Sequence, residues 1–413
     1  MTSVSLPTTA RTEPATGTLA LANLPDARAE DILCWIRGGD GLIGWGEVTR
    51  FEVTGRDRFV RAAQWWERVA ASFEVDDQLG VPGGGPVAFA SFSFEDAETS
   101  VVVVPRVVFG VRDGRGFVTT IGGPAPRPSQ APMRSPGPLG WSDGQVSGDG
   151  YKAAVADAVA AIRGGAFQKV VLARDVVATA EAPLDVRPLL ARLADRYPQC
   201  WTYAVDGMIG ATPEMLVRRQ DDQIFSRVLA GTGWRGGAER AGTENPDDAV
   251  ADFLRGSEKN TEEHEYAAAS AARALEPYCA DLDVPERPSA LRLANVVHLA
   301  TDITGRLSRP VSVVELAGAL HPTAAVCGTP TEAAGDYIRA RGGLDRDRYA
   351  GPIGWMDAAG NGELGIALRC ARVTGSTARL YAGGGIVADS VPENELEETY
   401  AKLAALRDAL ENA

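Results

Sequence analysis

Apolar residues recur along this chain with two periods, and the change from one to the other marks its elements. Between residues 150 and 163 they return at helical spacing, which predicts an amphipathic helix. Residues 58–73 share that helical spacing and carry the bulky pair Trp65 and Trp66; residues 250–275 read as a long helix. Strand-like runs lie at 42–53, 101–111, 169–178, 289–307, 351–356, 364–373 and 378–383, before a last helix. Strands and helices alternate without a regular βαβ beat, so the pattern predicts an α+β fold over a doubly wound one. One stretch, 122–140 (GGPAPRPSQAPMRSPGPLG), loses the periodicity to Pro, Gly and Ser, and divides an N-terminal part, 31–140, from the remainder, 150–413. No internal repeat is visible.

Composition narrows the classes. With 413 residues, 45% of them hydrophobic, the chain can bury a large core. Its 41 Lys and Arg face 55 Asp and Glu, a net charge of −14, which argues against nucleic acid or an anionic membrane as partner. Any acidic ligand must therefore meet local cations. Five widely separated cysteines, none in CxxC, fit reduced thiols in a cytoplasmic protein and suggest neither a zinc site nor a disulfide framework. Residues 1–30, rich in Thr, Ala and Pro, do not resemble a secretory signal and read as a loose tail. No apolar stretch approaches the ~18 residues that span a bilayer.

The run 393–402 (ENELEETYAK) holds the densest chemistry. On a helix, Glu395, Glu398 and Lys402 stand three and four apart on one face, suited to a divalent cation beside an anion. Hard oxygen ligands without Cys or His favour Mg²⁺ over Zn²⁺. The alternative is an exposed helix with ordinary i,i+4 charge pairs. The turn Gly383, Gly384, Gly385 formally opens GxGxxG/A, but no further strand or acidic residue follows as a dinucleotide site needs, and glycines that let backbone N–H groups approach a small anion fit better. Arg369 and Lys402 would complement that anion.

Other candidates are single residues. The three histidines, His264, His298 and His321, match no zinc spacing. His298 lies in an apolar strand as a core histidine or a donor to a ligand, and His321 before Pro322 suits a turn. Glu263 could add a hard ligand from another helix or lie on a solvated face. Lys169 interrupts an apolar run (AFQKVVLARD); pointing inward it could serve as a base, and at a strand edge it would only be solvated. Glu214 after Pro213 is the converse, a carboxyl that burial would keep protonated or an exposed turn residue.

Taken in order, FQKVVLAR, GATPEML, LAGT, SEKNTEEHEY, HLATDITG, LHPTAAVCGTP, YAGPIGWMDAAGNGELGIALRCA, YAGGGIVADS and PENELEETYAKL resemble the motifs of the chorismate-utilising enzymes, the family of isochorismate, salicylate, anthranilate and aminodeoxychorismate synthases. The resemblance runs from about Gly150 to the C-terminus. It implies one large α+β domain of layered antiparallel sheets flanked by helices, with Glu263 and Glu398 as Mg²⁺ ligands and Glu395 adjacent or acting through water. It further implies that Mg²⁺ holds the ring carboxylate of chorismate, while Arg369, Tyr349, Lys402 and the backbone of Gly383 and Gly385 bind the enolpyruvyl carboxylate. By the same resemblance, Gly231, Thr232 and His298 line the ring, Lys169 activates water for attack at C2, and Glu214 assists departure of the C4 hydroxyl. No partner subunit is required, so a monomer is expected.

The resemblance also separates branches. Lys169 stands where amine-using synthases generally have Gln, and Ala230 where aminodeoxychorismate enzymes carry a nucleophilic Lys. Ala325 stands where salicylate synthases typically have Thr. Together these imply an isomerase that stops at isochorismate; the alternatives are salicylate formation or chorismate binding without turnover. Two departures stand out: Asn260 replaces an acidic residue one turn before Glu263, which would weaken Mg²⁺ binding, and Gly384 replaces a common Ala, which would add flexibility.

Overall fold

The computed structural model describes residues 9–17, 21, 24–123, 131–234, 254, 258–292 and 296–413, with the side chains of 232, 234, 258–263 and 296 outside that description. Its frame is a set of antiparallel ladders that divide at one long strand, Ser100–Arg112. One run leads from it through Asp40–Val53, Ile32–Arg37, Trp201–Val205, Met208–Thr212, Cys370–Thr374 and Thr377–Ile386 to Lys169–Thr179. The other leads through Val87–Ser91, Pro352–Asp357, Gly362–Ile366, Met215–Gln220 and Gln223–Trp234 to Val296–Leu307. Helices cover these layers, giving an α+β architecture.

Local sequence accounts for the helix ends. Ser147 caps the helix Gly148–Arg163 by accepting from the Gly150 N–H. Ser312 and Glu315 form a reciprocal capping box on Val313–Leu320. The C-terminal helix Pro392–Glu411 starts with Pro at a position where no N–H is needed, and Glu393 and Glu395 in its first turn suit the positive end of the helix dipole.

The Pro/Gly-rich stretch 122–140 is a connection inside the fold, because strands on either side of it pair directly. Ile32–Arg37 pairs with Trp201–Val205, and Val87–Ser91 with Pro352–Asp357. Part of the supposed loose tail is also structured. Thr9–Ala15 pairs with Glu74–Asp77 and Arg115–Ile121, burying Ala10 and Thr12. Small and hydroxylated side chains hide this strand from hydropathy: Thr12 Oγ1 hydrogen-bonds Thr119 Oγ1 at 2.9 Å and accepts the Gly85 N–H at 2.8 Å.

Two runs that read as single strands are divided. Residues 364–373 break at Arg369, whose φ of 48° turns the chain between Gly362–Ile366 and Cys370–Thr374. Residues 289–307 hold Ser289–Arg292 and Val296–Leu307. The long helix appears as Glu258–Leu275.

Candidate active site

Both ladder runs end at one cleft of about 100 Å³. One wall is the pairing of Lys169–Thr179 with Thr377–Ile386, which sets Gly385 opposite Val171 and Gly383 opposite Ala173. Glu214, in the connection between Met208–Thr212 and Met215–Gln220, forms a second side. Ala230 and His298 come from the Gln223–Trp234 and Val296–Leu307 ladder, and Ala325, Val326, Tyr349 and Arg369 from connections. Lys402 reaches in from the C-terminal helix. A wider opening of about 340 Å³, lined by Trp35, Arg37, Arg112, Trp201 and Glu363, lies elsewhere and holds none of the sequence candidates.

Burial sets the protonation of the acid–base end. Glu214 is 5% exposed, and desolvation raises its pKa to about 8 against the opposing fields of Arg369 and Lys169, so near neutrality it is largely a carboxylic acid. Lys169 is itself buried, in a strand paired on both sides, so it is not a solvated edge lysine. Val171, two residues on in the same strand, lines the cleft. His298 is driven down to about 3 by burial, helped by Arg369 and Lys402, and bonds the Gly231 backbone. It is a neutral imidazole on the cleft wall. Gly231 stands at a bulge in its strand with φ 79°, a conformation that favours glycine. Thr232 pairs with His298, but its side chain lies outside the described residues.

The other end gathers charge. Lys402 is ion-paired with Glu398 one turn before it and donates to Gly383 O at 2.7 Å, which leaves one of its three protons for a ligand. Burial lowers its pKa, with Glu398 opposing. Glu395 accepts from Ser390 Oγ at 2.7 Å. Gly383, Gly384 and Gly385 are not a turn but part of the strand Thr377–Ile386, where their missing side chains admit this convergence. A Cβ on Gly383 would stand 2.5 Å from Leu172 O, and one on Gly384 would meet Glu395 Oε2 at 3.1 Å and Glu398 Oε1 at 3.9 Å. The absent methyl at Gly384 is therefore room for two carboxylates as well as flexibility. Among the described residues no three His, Cys, Asp or Glu side chains form a metal-sized cluster; Glu263, the expected third ligand, has its side chain outside the described residues, as does Asn260.

The remaining histidines are structural. His264 lies between Ala230 O at 3.1 Å and Thr301 Oγ1 at 2.7 Å, and His321 Nε2 bonds Phe94 O at 3.0 Å at the end of Val313–Leu320.

Sequence reasoning missed several contributors. Arg346 is buried against the cleft and donates to Val326 O at 2.9 Å and Val171 O at 2.5 Å, tying the Ala325–Val326 wall to the strand that carries Lys169. In LDRDRYAG it looks like one surface charge among several. Ala350 lines the cleft with φ 62°, a strained conformation for a residue with a Cβ. No local signal announces it.

Comparison with known proteins is consistent throughout. A family model described as chorismate binding enzyme matches residues 129–411. The isochorismate synthase DhbC of Bacillus subtilis is 39% identical over 272 residues, spanning 63% of this chain and 67% of that protein. The salicylate biosynthesis isochorismate synthase of Pseudomonas aeruginosa is 34% identical over 417 residues, 93% of this chain and 86% of its own. The solved structure of MenF, the menaquinone-specific isochorismate synthase of Escherichia coli, matches with TM-score 0.78 and 26% identity across 99% of this chain and 96% of that one.

Proposed function

This chain belongs to the chorismate-binding enzymes, and from that premise we propose that it is an isochorismate synthase, an isomerase that converts chorismate to isochorismate. The observation that carries the chemistry is Glu214, a buried carboxyl held protonated to about pH 8 at the cleft wall and within the field of Lys169. Lys169 takes a proton from water as the water oxygen bonds C2. The ring double bonds shift, the C4–O bond breaks, and Glu214 donates its proton to the departing hydroxyl, which leaves as water. One water enters and one leaves, so the product is an isomer. Neutral His298 and Gly231 border the ring with Thr232.

Substrate charge meets two sets of groups. Arg369, Lys402 and Tyr349, with the backbone of Gly383 and Gly385, bind the enolpyruvyl carboxylate. Mg²⁺ fits beside this set: Glu395 and Glu398 offer hard oxygens beside Gly384, and Glu263 on its own helix completes the ligands. When bound, the cation would neutralise and hold the ring carboxylate. Among the described residues no helix is long and apolar enough to cross a membrane.

Ala325 and Val326 line the cleft with side chains that carry no hydroxyl, which supports release of isochorismate over pyruvate elimination. Product analysis tests this directly. Purified protein with chorismate and Mg²⁺ should reach an equilibrium of chorismate and isochorismate, and EDTA should abolish it. Salicylate with pyruvate would move the chain to the lyase branch, and no turnover above a protein-free control would make it a binding protein.

A further inference from the structure

Tyr151, in the first turn of Gly148–Arg163, is 0% exposed, and its hydroxyl has no hydrogen-bond partner among the described residues. Buried tyrosine hydroxyls usually find a partner, and one left without it forfeits on the order of 1–3 kcal/mol. Its surroundings identify the missing partner. Glu395 Oε2, Tyr151 Oη and Glu398 Oε1 all lie within 4 Å of the point a Cβ would occupy on Gly384, at 3.1, 3.5 and 3.9 Å. The hydroxyl therefore faces the same small space as both acidic side chains, yet bonds to neither. A hydroxyl so placed can donate to a water held in that shared space.

We propose that Tyr151 is a positioning residue of the cation site: its hydroxyl donates to a water of the cation's shell and holds it over Gly384 against Glu395. This rests on the reading of Glu395 and Glu398 as the acidic side of that site. Groups that orient a metal's ligands typically change its affinity by about 10- to 100-fold when removed.

Tyr151→Phe keeps the ring and deletes only the hydroxyl. Titration of the full chain with Mn²⁺, followed by electron paramagnetic resonance, counts bound cation without turnover and should show binding weakened about 10-fold. The Mg²⁺ concentration giving half-maximal product formation should rise by the same factor, while the melting temperature in EDTA stays unchanged. Equal Mn²⁺ affinity in Tyr151→Phe and wild type overturns this role and leaves the ligands standing. A lower melting temperature in EDTA with unchanged Mn²⁺ affinity assigns the hydroxyl to the core and overturns it as well. A wild-type protein that binds no Mn²⁺ overturns the cation reading and Tyr151's role together.

Discussion

At one end of the cleft, Glu214 and His298 are neutral near physiological pH because burial removes the water that would stabilise their charged forms. At the other, Glu398 pairs with Lys402, Lys402 caps the Gly383 carbonyl, and Ser390 donates to Glu395. The first end relies on walls contributed by distant strands; the second is largely one helix face meeting one glycine-rich strand segment. Desolvation prepares groups to exchange protons, whereas mutual pairing prepares them to release one another for a dianionic substrate and a cation. A single cleft can thus hold a proton-transfer pair about neutral pH without neutralising the groups that bind charge.

The largest expected effect falls on the desolvated end. Lys169→Ala should lower kcat by about 10³-fold, within the range of positioned acid–base groups, while circular dichroism and Mn²⁺ binding stay as in wild type. A loss of Mn²⁺ binding in that variant would show that the two ends are one electrostatic unit.

Glu214→Gln should lower kcat by about 10²-fold and abolish the alkaline limb that wild type shows as pH rises through about 8. The sign for stability is the same. Between its ordinary 4.5 and about 8, Glu214 holds more proton in the folded than in the unfolded state, so stability falls as pH rises through that window, by up to about 1.4 kcal/mol per pH unit. Denaturant unfolding of Glu214→Gln should lack this component; an identical pH slope in both proteins would show that burial does not govern the group.

Glu398→Gln tests the paired end. Mn²⁺ affinity and the Mg²⁺ requirement should worsen by at least about 10-fold with the alkaline limb unmoved, and a shifted limb would erase the distinction between the two ends.

The glycines give the smallest effects. Gly383→Ala sets a methyl 2.5 Å from a backbone carbonyl and should cost about 1–3 kcal/mol in thermal or chemical unfolding. Gly384→Ala meets the far end of Glu395 at 3.1 Å, a flexible neighbour, so stability should hold while Mn²⁺ affinity drops a few-fold. The reverse ranking would mean that packing, not the cation space, governs this segment.

Much of this was legible before the fold. Period and turn residues located most elements, including Gly148–Arg163, Lys169–Thr179 and Pro392–Glu411, because amphipathic spacing is a local property. Two features were not legible for an equally local reason: the turn at Arg369 uses a left-handed arginine with no Gly or Pro to mark it, and the strand Thr9–Ala15 (TARTEPA) carries no large apolar side chain.

The sequence by itself determined that Glu395, Glu398 and Lys402 share a helix face, since spacings of three and four need no partner to be read. Its ordered motifs also assigned the family and the candidate acid and base. Only the tertiary structure decided which of two readings Lys169 and Glu214 take, because desolvation is supplied by walls that the chain brings together from far apart. It alone revealed Arg346 binding Val171 to Val326, and Tyr151 facing Glu395 and Glu398 across Gly384. Those relations join residues more than 150 positions apart in most cases, and no local pattern encodes them.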